Sequence, residues 1–322
     1  ISKTKELPSG IRTILPADTW RSLQKKHQER ADALTANWRA KHAAGVKDPI
    51  EDFLFEYYSY RPALLRRWHP GAGVVLEGST AELAVFEERR WYRSVSLENG
   101  EAQFELDAVT FLAERGRAVD YIEKLLGLML NREAKLGCFG LHEWAMVYKQ
   151  PEEQLRHQKL PLRLGAQETD RVVEKHKIVC SHFDAYRFFT PEASPLNLLR
   201  PSRKAQEDFE QPGCLHAGMD NYKWAVKLGP IIPGDLLLDT FELAKDIRVL
   251  DMRASPYDVS AQGLTPVAIE TDAGKSEYVQ AQAEFALRGQ ALRVRILQAI
   301  QCTRDLSQSR MGKLSAPNEA LG

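Results

Sequence analysis

The sequence predicts a mainly α-helical protein with a minor β element, folded as a single compact helical domain. Along residues 18–44, 105–130 and 274–304, apolar residues recur at intervals of three and four, as on one face of an amphipathic helix. Two shorter segments, 73–78 and 91–97, have the residue content of strands. Hydrophobic residues are 43% and charged residues 27% of the 322-residue chain, so a core can form without a disulfide or structural metal.

The limits of the domain follow from proline positions and charge. Residues 1–17 are predicted to be extended, because Pro8 and Pro16 would interrupt a helix. The helical domain is predicted to span residues 18–304, and residues 305–322 to form a flexible tail.

Two internal connections are predicted within the domain. Residues 150–170 are polar, and residues 190–213 contain four prolines, which favours a long irregular segment of the kind that often carries function. Two further helices are predicted at about 214–228 and 234–253.

Composition limits the classes of partner and compartment. Lys plus Arg equals Asp plus Glu at 44 each, so net charge gives no general attraction to nucleic acid, and any DNA contact must be local. No apolar run is long enough for a membrane span, so no membrane partner is expected. The four cysteines form no disulfide-like or CxxC pattern, which predicts the cytoplasm or another reducing compartment. The chain begins at Ile1 rather than Met, so a removed targeting segment remains open.

One apolar stretch, GCFGLHEWAMVY at 137–148, contains His142 and Glu143 side by side. A helix that is apolar on every side is buried, so both polar side chains are expected to be out of water and paired with other groups. They are interpreted either as a structural hydrogen-bonded pair or as an acid/base or metal-ligand pair.

Two further histidines lie in polar motifs. His182 and Asp184 have the HxD spacing of some iron sites, although Ser181-x-x-Asp184 is also a helix-capping pattern. His216 would share a helical face with Asp220 and two lysines, which a solvated face with charge pairs also explains.

A cysteine precedes each of these histidines by two or four residues, at positions 138, 180 and 214. Thiolate and imidazole together suit zinc or iron, although the spacing is that of no zinc finger. One hypothesis is therefore a Zn or Fe site. Its candidate ligands are His142, Glu143, His182, Asp184 and His216.

Asp251 falls on the core-facing stripe of the helix predicted at 234–253. A carboxylate there is a candidate general acid or base, or else the partner of Arg248 or Arg253. Elsewhere, aromatic residues alternate with arginines along 57–70, as in single-strand or flipped-base recognition, although a helix with core aromatics and a basic rim has the same pattern.

Long segments of this chain resemble a bacterial, mainly actinobacterial, protein family commonly labelled 3-methyladenine DNA glycosylase. The resemblance covers roughly residues 18–300. It rests on PIEDFLFEYYSYRPALLRRWHPG at 49–71, GCFGLHEWAMVYK at 137–149, SHFDAYRFF at 181–189, QPGCLHAGMDNYKWAVKL at 211–228 and FELAKDIRVLDMRASPYDV at 241–259. It implies a hydrolase for DNA repair that cleaves the glycosidic bond of an alkylated purine, without a required cofactor.

That activity assigns roles to particular residues. Glu143 or Asp251, with His142 beside them, would form the catalytic set that stabilises an oxocarbenium-like sugar. The flipped base would stack on aromatic rings and the phosphates would be held by arginines. These candidate substrate-binding residues are Tyr58, Arg61, Arg66, Arg67, Trp68, Trp144, Tyr222 and Trp224.

Three functions therefore stay open: base excision on DNA, a metal-dependent enzyme acting on a small molecule, and a binding or scaffold protein. These functions can be distinguished by whether His142, His182 and His216 lie close together in the folded protein. Convergence around an open position favours the metal centre, whereas Glu143 and Asp251 facing a groove of Tyr and Arg side chains would favour base excision.

Overall fold

The computed structural model describes residues 12–96, 101–155, 157 and 160–315. Helix makes up 61% of the structure and strand 7%, which confirms the prediction of a mainly α protein with a minor β element. None of the helices in the described ranges combines the length and the apolar character needed to cross a membrane.

The described part of the chain contains twelve α-helices and four strands. The helices are α1 (Ala17–Ala43), α2 (Glu51–Glu56), α3 (Pro62–Leu65), α4 (Thr80–Glu87), α5 (Ala108–Leu130), α6 (Leu141–Ala145), α7 (Gly165–Lys175), α8 (Phe183–Tyr186), α9 (Gln206–Phe209), α10 (Leu215–Leu228), α11 (Gly234–Arg253) and α12 (Asp272–Ser315). The strands are β1 (Thr13–Leu15), β2 (Val74–Ser79), β3 (Tyr92–Ser96) and β4 (Glu101–Leu106).

The strands form one small sheet in the order β1-β2-β4-β3. β1 runs parallel to β2, and the other pairs are antiparallel, with Leu76 opposite Phe104 in β2 and β4. A separate apolar cluster that includes Trp20, Trp68 and Phe86 fills the space between this sheet, α1 and α4. The sheet is larger than predicted, because β1 and β4 gave no recognisable strand pattern.

The main core lies between α10, α11 and α12, with α1 and α5 packed around them. α11 is central: Phe241, Ala244 and Ile247 are all fully buried, each contributing on the order of 1–3 kcal/mol of hydrophobic stabilisation. A Cβ atom at Gly218 of α10 would lie 2.8 Å from the Ile247 side chain, so glycine permits the close approach of α10 and α11. This close crossing holds the functional residues of the two helices together.

The predicted C-terminal boundary is wrong in part, because residues 305–315 continue α12 instead of leaving the domain. Arg304 binds Asp120 and Glu123 of α5, and Ser307 is buried one turn later. These contacts hold the end of α12 on the core. Of the predicted extended segment 1–17, residues 13–15 form β1. The predictions for residues 1–11 and 316–322 lie outside the described residues.

Candidate metal centre

His142 and Glu143 lie on α6, which is much shorter than the helix that the apolar stretch predicted. Phe139 and Gly140 have positive φ angles of 46° and 68°, so the chain turns sharply before α6 begins. The turn directs both side chains inward, where His142 is 6% exposed and Glu143 5% exposed. The predicted burial of this pair is confirmed, although a turn rather than a long helix produces it.

The partner of His142 is Asp251, which is completely buried on α11. The Nε2 atom of His142 lies 3.1 Å from Oδ1 of Asp251 and 3.9 Å from Oε1 of Glu143. The candidate catalytic residues His142, Glu143 and Asp251 therefore form one buried cluster.

Arg248 holds the opposite side of this cluster. Its Nη1 atom donates to Oδ2 of Asp251 at 2.9 Å and to Oε1 of Glu143 at 3.3 Å, and its guanidinium lies over the ring of Phe53. The predicted pairing of Asp251 with Arg248 is confirmed, whereas Arg253 donates to the Thr265 carbonyl and to Glu277. Because Arg248 occupies Oδ2, the other oxygen of Asp251 is left to face His142.

The three histidines singled out in the sequence do converge. The His216 ring lies edge-on to His142, with ring centroids 4.5 Å apart, and it stacks on His182 at 5.2 Å. One donor atom each from His142, His216 and Asp251 lies within 4.8 Å of the other two. Two histidines and one carboxylate are the ligand set of many catalytic zinc and non-haem iron sites.

The contact between His142 and Asp251 is unusual for a hydrogen bond. Nε2 of His142 and Oδ1 of Asp251 are buried and 3.1 Å apart, yet neither has a hydrogen-bond partner with acceptable geometry. Two donor atoms bound to the same zinc ion lie about 3.3 Å apart without pointing at each other. The separation of this pair also suits two ligands of one cation, and the donor atom of His216 lies within 4.8 Å of both.

The electrostatics of the three residues differ sharply. Burial alone would lower the pKa of His142, but Asp251 and Glu143 raise it above its usual value. Burial, followed by repulsion from His142, holds the pKa of His216 well below its usual value. Although burial would raise the pKa of Asp251, His142 outweighs it and lowers that pKa. These directions favour a proton on His142 and the neutral form of His216, which is the form that a metal requires.

A small pocket of about 20 Å³, which is enough for a water-sized ligand, adjoins His142 and His216. Its other lining residues are mostly aliphatic or thiol-bearing: Cys138, Leu141, Ile178, Val179, Cys180, Ser181, Gln211, Cys214, Leu215 and Tyr278. Burial raises the pKa of all three thiols, that of Cys180 to about 12, so they are neutral near pH 7. The three cysteines noted in the sequence therefore line the pocket as neutral thiols, together with His142 and His216 but without His182.

His182 and Asp184, also predicted as ligands, belong to an adjoining polar cluster. His182 lies between Glu210 and Asp220, at 2.7 Å and 4.0 Å, and Lys223 bridges Asp220 and Asp184. The capping prediction for Asp184 is wrong, because α8 begins after His182 and has no side-chain cap. The predicted solvated face of α10 is also wrong, since Asp220 is buried inside this cluster.

The rings predicted to stack on a base lie in the core and do not line the pocket. Trp144 is fully buried and donates to the Ala254 carbonyl, and Tyr58 packs edge-on against Tyr222. Trp68 and Trp224 are buried elsewhere in the core. The three predicted phosphate-binding residues, Arg61, Arg66 and Arg67, are exposed away from the pocket, and Arg66 pairs with Asp32. The segment 57–70 thus has core aromatics and a basic rim, the simpler of its two interpretations.

Sequence reasoning missed Tyr278 and Gln282 of α12. The Tyr278 hydroxyl lies 3.7 Å from Sγ of Cys138, and Gln282 donates to the same sulfur at 3.2 Å. No local pattern marks these residues, because their partners come from a distant part of the chain. Tyr278 lines the pocket, and Gln282 lies behind it against the Cys138 sulfur.

Comparison with known proteins adds no relative: no protein-family model, no curated protein and no solved structure matches this chain.

Proposed function

We propose that this protein is a metal-dependent enzyme that binds zinc or iron through His142, His216 and Asp251 and acts on a small molecule. The observation that carries the proposal is the convergence of these donors within 4.8 Å of one another, beside a pocket. Among the described residues no other group of three His, Cys, Asp or Glu side chains comes together in this way.

The surroundings support a metal as well as the donors do. Arg248 fixes Oδ2 of Asp251 and leaves Oδ1 directed at His142, which is how outer residues orient a metal ligand. Two buried carboxyl groups, of Glu143 and Asp251, meet the single guanidinium of Arg248, which leaves the cluster able to take one further positive charge, as a proton on His142 or as a bound cation. A metal bound there would supply Lewis-acid or redox chemistry to a substrate in the pocket.

Base excision, which the family resemblance suggested, has less support from the geometry. Glu143 and Asp251 are committed to Arg248 and His142, and the predicted stacking rings are in the core. A flipped base also needs more room than this pocket of about 20 Å³ provides. The hypothesis remains a prediction, which release of free base from alkylated duplex DNA would support.

Metal analysis tests the proposal directly. Protein purified without a histidine tag, from medium containing zinc and iron, is expected to hold zinc or iron at close to one equivalent or more. His216→Gln is expected to lose that metal, because it removes one of the two histidine ligands. His42→Gln, an exposed histidine stacked on Trp38, is the matched control and is expected to keep it. Folded wild-type protein that takes up neither metal would end the proposal.

A further inference from the structure

Away from the candidate metal centre, three arginines line one small pocket between the sheet and the end of α12. Arg12 precedes β1, Arg93 lies on β3 and Arg310 lies near the end of α12, so distant parts of the chain bring them together. The other lining residues are Gly73, Val74, Glu105, Leu106, Ala108 and Leu306. Like charges gathered in this way repel one another unless negative charge lies between them.

Carboxylates balance this positive charge only in part. Within the described ranges, the carboxylates within 4.0 Å of these arginines are those of Glu105 and Asp107. Glu105 pairs with Arg93 across the β3–β4 strand pair, and Arg12 lies 3.5 Å from the same carboxylate. Asp107, 3.5 Å from Arg310, already caps α5 and accepts two hydrogen bonds from its first turn. Three cations therefore share two carboxylates, which leaves one positive charge in excess.

Hydrogen-bond donors in this cluster are also left over. A guanidinium group carries five N–H donors in a planar fork that fits the oxygens of a phosphate. In the part of the chain that the structure describes, neither Arg12 nor Arg310 donates a hydrogen bond to another residue, and Nε of Arg93 is buried without a partner. A bound oxyanion would accept these hydrogen bonds and neutralise the excess charge.

We propose that Arg12, Arg93 and Arg310 bind the terminal phosphate of a small phosphorylated molecule. Three guanidinium groups match the three outer oxygens of a phosphate monoester, and the second negative charge of a monoester sets it apart from a diester. The pocket is about 10 Å³, which is room for about one oxygen atom, so the rest of the ligand lies outside it.

This site is separate from the candidate metal centre. Leu306 lines the arginine pocket and Tyr278 lines the metal pocket. They are 28 residues apart on α12 (306 − 278), or about 42 Å at about 1.5 Å per residue. A small molecule does not span that distance. The phosphorylated ligand is therefore distinct from the substrate of the metal centre, and the inference is independent of the proposed function.

Calorimetric titration with phenyl phosphate, a soluble monoester, tests the proposal. Wild-type protein at low ionic strength is expected to bind one equivalent. Arg12→Gln and Arg310→Gln are each expected to weaken the affinity by about tenfold or more, because each loses a charge-assisted contact. Both side chains are partly exposed, so these variants should fold. Arg90→Gln is the matched control, since Arg90 is three residues from Arg93 but pairs with Glu114 at the surface, and it should bind as the wild-type protein does.

Two kinds of result would overturn the proposal. The first is the absence of saturable binding at millimolar phenyl phosphate, or an affinity in Arg12→Gln and Arg310→Gln that does not fall below that of Arg90→Gln. The second concerns the ligand. Dimethyl phosphate, a diester, is expected to bind more weakly than phenyl phosphate. Equal or tighter binding of dimethyl phosphate, or of a single-stranded oligonucleotide without a terminal phosphate, would assign the arginines to a nucleic-acid backbone instead.

Discussion

Replacing Arg248 with Met is expected to destabilise the metal-free protein severely. The substitution keeps much of the side-chain volume over Phe53 but removes the donor that lies 2.9 Å from Asp251 and 3.3 Å from Glu143. Both carboxylates are buried, so they would be left with uncompensated charge. Breaking a buried ion pair by removing one partner costs about 3–5 kcal/mol, and we expect a loss of that size.

Zinc is expected to restore part of this loss, because an ion bound by His142, His216 and Asp251 supplies positive charge close to both carboxylates. A ligand at 100 times its dissociation constant stabilises the folded state by about 2.7 kcal/mol. Urea denaturation of the variant with a chelator and with excess zinc would measure both terms. The control is Arg288→Met, which removes a surface pair with Asp246 and should cost at most about 1 kcal/mol.

The reasoning would be refuted if Arg248→Met lost no more stability than Arg288→Met. In that case the buried carboxylates would be protonated or solvated, and the site would carry no excess negative charge. If zinc binds to the variant but the loss of stability is the same with and without zinc, the ion does not lie between Asp251 and His142.

The remaining predictions concern the proton on His142, the turn before α6 and the thiol of Cys180. Zinc binding near pH 6.5 should release about one proton, because the pKa of His142 is raised while that of His216 is lowered, and calorimetry in two buffers would count it. For the same reason, zinc affinity should weaken by about tenfold for each pH unit below the pKa of His142. In the metal-free protein, protonated His142 stabilises the fold, and this stabilisation should be lost as the pH rises through the same pKa. Gly140→Ala should cost about 1 kcal/mol in urea denaturation, since φ is 68° there and the added methyl meets only ordinary contacts, and no loss would contradict the assigned turn. Burial raises the pKa of Cys180 to about 12, so its reaction with a disulfide reagent at pH 8 should be on the order of 10³-fold slower than that of free cysteine, and a fast reaction would show the thiol to be open and ionised.

The long helices were predictable because their signal is local. The apolar stripes of α1, α5, α10 and α11 repeat over several turns, and the structure places these helices within a few residues of the predicted limits. β1, with three residues, and α9, with four, are too short to show a period. Their existence depends on the partners that they meet.

Burial of the candidate site was also predictable, since an apolar stretch leaves His142 and Glu143 no polar face. The identity of the partners was not, because helix order does not give helix packing. Asp251 was singled out only from its place on the core-facing stripe of α11, and Glu210 and Tyr278 had no such pattern. Conversely, Asp184 satisfied a capping pattern by sequence, but α8 begins after His182 and Asp184 pairs with Lys223.

A metal centre and a purely structural ion cluster would use the same charges, so charge alone does not choose between them. A proton on His142 could neutralise the excess negative charge of Glu143 and Asp251 as a divalent cation would. A structural cluster, however, gains stability by closing around its charges and satisfying every hydrogen bond. This site closes incompletely, because the contact between Nε2 of His142 and Oδ1 of Asp251 is poorly aligned for a hydrogen bond and because His142 and His216 line a pocket. Poorly paired polar atoms beside a pocket lower the stability of the fold unless a ligand binds them. This loss of stability favours the metal centre over a purely structural cluster.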